Sequence, residues 1–261
     1  MTKCVNFHTQ GRTGYVEFDN QDRLNAMSID MWRQMKESLE RFAQDSSLRV
    51  VVLMGAGEKA FISGADISEF EDHRADAESR EAHDAVVNGA CQALKALSVP
   101  TIAKIDGWCI GGGMAVALCC DLRISSDRSR FGTPAAKLGI SYAYPQLDEL
   151  VQHVGPAVAR EILFTGMTYS AEEALQMGLV NRVFSVTEFE NKAQAYVQRI
   201  ENNAPLVIAS TKVIVREICK DPGDRDIDLC REVAKRADFS EDFIEGRRAF
   251  MEKRPPVFTG R

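Results

Sequence analysis

Two glycine-centred segments carry the residue types that could do chemistry. The first is Ala60-Phe61-Ile62-Ser63-Gly64-Ala65-Asp66-Ile67. The second is Asp106-Gly107-Trp108-Cys109-Ile110-Gly111-Gly112-Gly113-Met114. Each places backbone N–H groups at a tight turn, where glycine lets the backbone approach a ligand closely. In the second, the N–H groups also open a helix, whose N-terminus carries a partial positive charge. Two N–H groups converging on one point form an oxyanion hole, which stabilises a carbonyl oxygen as it gains negative charge. The same residues equally suit two turns required only for packing. No Gly-Lys-Ser/Thr follows Gly111-Gly112-Gly113, so a nucleotide phosphate loop is disfavoured.

The elements around these segments alternate. Lys3 to Phe7 and Arg12 to Phe18 read as a hairpin about Thr9-Gln10-Gly11. Ser28 can cap a helix in which Met31, Trp32, Met35, Leu39 and Phe42 recur at helical spacing. Val50 to Met54 is a continuous β-rich run, suited to a strand buried on both faces. Residues 79–97 read as a helix stopped by Pro100. Thr101 to Ile105 is a strand, Met114 to Cys120 a buried helix, and Asp121 to Ser125 the next strand. Strand, crossover and strand in alternation imply an α/β fold with parallel pairing and right-handed connections. After about residue 190 four helical segments follow: Asn191 to Asn203, Leu206 to Cys219, Asp228 to Ala237 and Ser240 to Lys253. A helical tail after an α/β core covers a surface or joins subunits.

The composition bounds the function. With 261 residues, 45% hydrophobic and 27% charged, the chain is globular, neither disordered nor collagen-like, and forms one large domain or two unequal ones. Lys+Arg 32 against Asp+Glu 38 gives a formal charge of -6, which argues against a nucleic-acid-binding face. No segment is apolar for long enough to span a bilayer, and Met1 to Asn6 lacks the layout of a signal peptide. None of the seven cysteines sits in a paired C-x-x-C arrangement, so no metal site is expected. Seven reduced thiols in a cytoplasmic protein is the simplest expectation, with Cys119 and Cys120 as small core residues.

Several motifs, in order and at matching spacing over nearly the whole chain, resemble the enoyl-CoA hydratase/isomerase family, the crotonases. They are Ser63-Gly64-Ala65-Asp66-Ile67, Asp106-Gly107 with Gly111-Gly112-Gly113, and Phe131-Gly132-Thr133-Pro134. Thr165-Gly166 through Gly178-Leu179-Val180 and Glu245-Gly246 through Arg254 complete the set. The resemblance implies a crotonase-like spiral of repeated β-β-α units over 1–190. It implies a C-terminal helical trimerisation region over 191–261, forming a homotrimer or a dimer of trimers. It implies an acyl-CoA thioester as ligand, with coenzyme A as part of the substrate and no other cofactor. The N–H groups of Ala65 and Gly112 would hold the thioester oxygen as an enolate forms. Ser63, Gly64, Asp66 and Ile67 would lie along the CoA, and Phe250 and Lys253 match positions that reach its adenine and phosphates from a neighbouring subunit. Lys253 equally suits a solvated cation near a helix C-terminus.

The chain departs from the hydratases of that family at their acid and base. They place one glutamate two residues after the Gly-Gly-Gly run and another directly after the Pro of the Phe-Gly-x-Pro segment. These positions are Ala115 and Ala135. A methyl group neither orients water nor moves a proton. A third acidic position, used by some isomerases and a dehalogenase, corresponds to Ala143. Tyr142 follows Leu138-Gly139 at the spacing of a tyrosine in the family's methylmalonyl-CoA decarboxylases, which also lack the glutamate pair. Decarboxylation suits what remains, because a malonyl-type thioester that loses carbon dioxide leaves an enolate without a protein base. Tyr142 would orient the departing carboxylate or assist protonation. It equally suits a pocket-wall aromatic, since a phenol with a pKa near ~10 is a poor base. Tyr144 carries the same ambiguity.

Asp148 and Glu149 suit the N-terminal turn of a helix, and they are the reserve acid and base. Asp66 is expected to brace its loop, and His153 to be structural. His73 and His83 lie in a polar stretch with no assigned role. Trp108, Ile110 and Met114 line either the acyl pocket, with Ala115, Ala135 and Ala143, or the core. Three readings stay open: a lyase acting through an enolate, a hydratase or isomerase with a relocated acid, and an acyl-CoA-binding protein without catalysis.

Overall fold

The computed structural model describes residues 4–69 and 76–261. The chain opens with β1 (Cys4–Gln10) and β2 (Thr13–Asp19), an antiparallel hairpin. Helix α1 (Ile29–Ala43) starts where the Ser28 hydroxyl accepts the Met31 N–H. Such a cap contributes about 1 kcal/mol. Then come β3 (Val50–Gly55), β4 (Ala60–Ile62), α2 (Ala77–Ala96), β5 (Thr101–Ile105), β6 (Trp108–Ile110) and α3 (Gly112–Cys119). β7 (Leu122–Ser126), β8 (Arg130–Gly132), α4 (Tyr144–Thr165), β9 (Thr168–Ser170), α5 (Ala171–Gln176) and β10 (Arg182–Phe184) follow. Four helices close the chain: α6 (Phe189–Glu201), α7 (Pro205–Ile218), α8 (Ile227–Asp238) and α9 (Glu241–Glu252).

The strands form two sheets in a spiral. A six-stranded sheet has the order β1-β2-β3-β5-β7-β10 and a four-stranded sheet the order β4-β6-β8-β9. In each turn of the spiral, one strand joins the large sheet and the next joins the small one: β3 then β4, β5 then β6, β7 then β8. From β2 to β10 every pairing in the large sheet is parallel. The continuous apolar run in β3 follows from burial on both faces. Val51 and Leu53 face Phe18, Met31, Leu94 and Val116 in one core. Val50 and Val52 face Ile102, Phe189 and Val197 of α6 in the other. Each large apolar side chain so buried contributes roughly 1.5–3 kcal/mol.

Two local features refine the sequence reading. The helix expected to open at Asp148 starts at Tyr144, with Pro145 in its first turn, so Asp148 and Glu149 lie beyond that turn. The chain leaves helical geometry at Gly155 (φ 77°, ψ 164°), shortly after His153. Buried Arg123 of β7 donates to the carbonyls of Leu179, Ala117 and Cys120, which ties the end of α3 to the large sheet. All seven cysteines are free thiols, and burial pushes those of Cys109 and Cys120 far up, where they are unreactive. Among the described residues, no helix is long and apolar enough to cross a membrane.

Candidate active site

The small sheet explains why the motifs meet. β4, β6 and β8 are adjacent and parallel, so all three deliver the chain at the same end. Ser63-Gly64-Ala65 leaves β4, Gly111-Gly112 leaves β6, and Thr133-Pro134-Ala135 leaves β8. The Gly111 N–H donates to the Gly132 carbonyl at 2.9 Å, which fixes the second loop to the third strand. The first loop is tied to the chain before α1: Ser63 N–H to Leu24 O, Met27 N–H to Gly64 O, and Asp66 N–H to Met27 O.

The two loops touch. A Cβ built on Gly112 would stand 3.6 Å from the Gly64 carbonyl carbon and 3.7 Å from the Ala65 nitrogen. Gly112 is the first residue of α3, so its N–H has no acceptor inside the helix. Two glycines are required for this approach. Gly64 has φ +129°, a conformation closed to side chains, and a Cβ on Gly113 would lie 2.3 Å from the Ile62 carbonyl oxygen. Both loops are braced by carboxylates. Buried Asp66 accepts from Arg23 at 2.9 Å and from the Ser68 hydroxyl at 2.7 Å. Asp106 accepts from the Ser126 hydroxyl at 2.6 Å and from Arg128 Nε at 2.7 Å.

Ser63, Gly64, Ala65, Gly111 and Gly112 line a cavity of about 190 Å³. Ala115, Ala135 and Ala143 line it too, together with Ile110 and Tyr142. All three positions read from the resemblance as vacated carboxylates therefore face one space beside the two glycine loops. The Tyr142 hydroxyl stands 3.6 Å from where a Cβ on Gly111 would lie.

Other expected residues lie elsewhere. Trp108 is 41% exposed on β6 and lines neither the cavity nor the core. Its side chain alternates away from that of Cys109, which is buried. Met114 belongs to the core. Tyr144 is 80% exposed at the start of α4, outside the cavity. Asp148 accepts from Gln152 Nε2 at 2.8 Å and does not line the cavity. Glu149 pairs with Lys95 and lines a second cavity of about 140 Å³, which shares Ala115 and Gln146 with the first. His153 Nδ1 lies 2.7 Å from the Glu149 carbonyl oxygen, and burial holds its imidazole below the usual range. Ile67 starts a 3-10 turn directly after the first loop. Phe250, 82% exposed, and Lys253, the left-handed C-cap of α9, lie outside the cavity of their own chain. His73 lies outside the described residues.

The structure adds four residues to the site that the sequence reading left without a role. Trp32 of α1 packs its ring 3.4 Å from the Cβ position of Gly112 and lines the cavity. Arg80, His83 and Asp84 line it from α2. Their i, i+3, i+4 spacing places them on one helix face and was readable in the sequence. The resemblance sets this region beside the acyl pocket without a role, and packing shows which face of α2 meets the glycine loops.

Comparison with known proteins agrees with this architecture. The model of the enoyl-CoA hydratase/isomerase family matches residues 8–261. The chain is 38% identical over 260 residues to a carnitinyl-CoA dehydratase of Escherichia coli strain K12, covering 96% of this chain and 97% of that protein. It is 33% identical over 245 residues to a short-chain-enoyl-CoA hydratase of Clostridium acetobutylicum, covering 94% and 93%. A crystal structure of an enoyl-CoA hydratase/carnithine racemase from Magnetospirillum magneticum superposes with a TM-score of 0.93 at 36% identity, covering 100% and 97%. A spiral of β-β-α turns that brings two glycine loops together, matched along nearly its whole length, makes this chain a member of the enoyl-CoA hydratase/isomerase family.

Proposed function

We propose that the protein is an acyl-CoA lyase that decarboxylates a malonyl-type thioester through an enolate. The observation that carries this reading is the cavity wall: Ala115, Ala135 and Ala143 surround the space beside Ala65 and Gly112. The thioester oxygen would accept from the Ala65 and Gly112 N–H groups. Breaking the bond between the α-carbon and the carboxylate would release carbon dioxide and leave its electron pair in the enolate. The N–H pair would carry the charge that develops on oxygen, which is the group stabilisation such donors supply best. Tyr142, beside Gly111, would orient the departing carboxylate. Coenzyme A would lie along Ser63 to Ile67. Phe250 and Lys253 of a neighbouring copy would reach its adenine and phosphates in a trimer or a dimer of trimers. Exposed Phe239, Ile244 and Met251 on the last helices support such an assembly.

A second reading is hydration or dehydration, favoured by the names of the relatives. Asp148 and Glu149 do not line the cavity; among the described residues, its titratable side chains are Tyr142 and, from α2, Arg80, His83 and Asp84. Incubation of the purified protein with malonyl-, methylmalonyl- and ethylmalonyl-CoA and with short and long enoyl-CoAs, read by mass spectrometry, tests both. Loss of carbon dioxide supports the lyase. Gain of one water contradicts it. Tight acyl-CoA binding with neither change would mark a binding protein.

A further inference from the structure

The family's two glutamate positions are alanine, yet an enolate becomes a product only when its α-carbon takes a proton. Among the described residues that line the cavity, the titratable side chains are those of Arg80, His83, Asp84 and Tyr142, and they narrow the source. A guanidinium such as that of Arg80 offers donors only and no acceptor. The Asp84 carboxylate faces Arg80 Nε at 3.9 Å and the His83 ring, so it is placed to orient the imidazole. A phenol such as that of Tyr142 titrates near ~10. His83 remains, and imidazole is the side chain that both gives and takes a proton near neutrality.

The placement of His83 fits that work. It lies on the cavity face of α2, within a turn of Arg80, Asp84 and Val87, and its side chain is only 9% exposed. Nδ1 lies 3.5 Å from Asp84 Oδ1, so the neighbouring carboxylate can orient the imidazole. Arg80 Nη2 donates to the Ser141 carbonyl at 3.1 Å, which binds the His83 wall to the Tyr142 loop across the cavity. α2 also packs against α1, which carries Trp32. These contacts hold the imidazole on the same small space as the oxyanion N–H groups.

We infer that His83 is the acid–base group of this site, moving a proton at the α-carbon of the bound thioester through Nε2, with Asp84 as its positioning residue. The inference rests on the reading of the site as one that forms thioester enolates, and it does not depend on carbon dioxide being the leaving group. In the protonation step, the enolate C=C pair forms a bond to the Nε2 proton, the N–H bond breaks, and neutral imidazole is left. Water then restores its proton. In the reverse direction neutral imidazole takes an α-proton, the C–H pair enters the enolate, and the N–H groups hold the oxygen charge.

The reverse direction gives a test independent of decarboxylation. Propionyl-CoA incubated with wild-type protein in deuterium oxide is expected to gain α-deuterium, read as a mass increase. His83→Gln is expected to slow that exchange by about 100-fold or more, the usual worth of a positioned acid or base. Asp84→Asn is expected to slow it by about tenfold, with propionyl-CoA affinity kept in both variants. Added imidazole should restore exchange to His83→Ala, which separates lost chemistry from lost folding. Wild-type exchange rates in His83→Gln would overturn the inference. So would absence of exchange in the wild type, and if carbon dioxide were still lost from malonyl-type thioesters the lyase reading would survive alone. His83-dependent exchange without any decarboxylation would keep the inference and sink the lyase.

Discussion

The hydroxyl of Tyr142 stands 3.6 Å from the point where a side chain on Gly111 would begin, so an aromatic from the loop before α4 reaches the turn that opens α3. A residue from a third strand connection thus closes the space made by two glycine loops. Tyr142→Phe keeps the ring and removes the hydroxyl. It is expected to lower turnover by about tenfold to 100-fold, in the range of a group that assists charge or proton movement, and to leave acyl-CoA affinity within about twofold. Equal kcat in wild type and variant would remove Tyr142 from the chemistry.

Gly112 offers a test of the oxyanion hole with little cost to the fold. It is the first residue of α3, where proline is well accepted, and a Cβ there meets Trp32 at 3.4 Å, an ordinary contact. Gly112→Pro removes the N–H. Turnover is expected to fall by about 100- to 1,000-fold with the melting temperature nearly kept. Unchanged turnover would show that this N–H does not face the reacting oxygen.

The vacated positions predict a gain as well as a loss. Ala115→Glu combined with Ala135→Glu places two carboxylates on the cavity wall. The pair is expected to add measurable hydration of crotonyl-CoA. It should also lower any decarboxylation, because like charges would oppose a substrate carboxylate. A double variant that folds and shows neither change would contradict the placement of these alanines beside the reacting carbons.

The C-terminal clasp carries a pH signature. Glu245 accepts from Arg254 Nη1 at 2.6 Å, Arg248 Nη2 at 2.7 Å and the Val257 N–H at 3.0 Å. Arg254 first, then Arg248 and Val257, hold its carboxyl well below the usual range. Its folded pKa is depressed, so the stabilisation is present above the unfolded value, near ~4.3, and fades as pH falls through the folded one. Glu245→Gln is expected to melt below wild type at neutral pH, with the gap closing in acid. Parallel melting curves across that range would contradict the clasp.

The large sheet and the long helices were legible because their periods repeat over enough residues. Val50 to Met54, the Ser28-capped helix and the four C-terminal helices all stand within a few residues of their expected places. The small sheet was not legible. Ala60-Phe61-Ile62, Trp108-Cys109-Ile110 and Arg130-Phe131-Gly132 are each three residues long, too short for a period to show. Those strands align the loops, so the meeting of Gly64 and Gly112 could be read only by resemblance. Trp108 was misplaced for the same reason: its exposure follows from alternation along a strand that the sequence did not reveal. Arg80, His83 and Asp84 were visible as one helix face, but only packing shows what that face meets.

The most direct measurement compares kcat/KM of one preparation for carboxyl-labelled methylmalonyl-CoA, read as released carbon dioxide, and for crotonyl-CoA, read as added water. The arrangement of Ala65, Gly112, Ala115 and Ala135 predicts decarboxylation at least about 100-fold above hydration, because Ala115 and Ala135 offer no carboxylate to activate and deliver water. Hydration equal to or faster than decarboxylation would contradict the account.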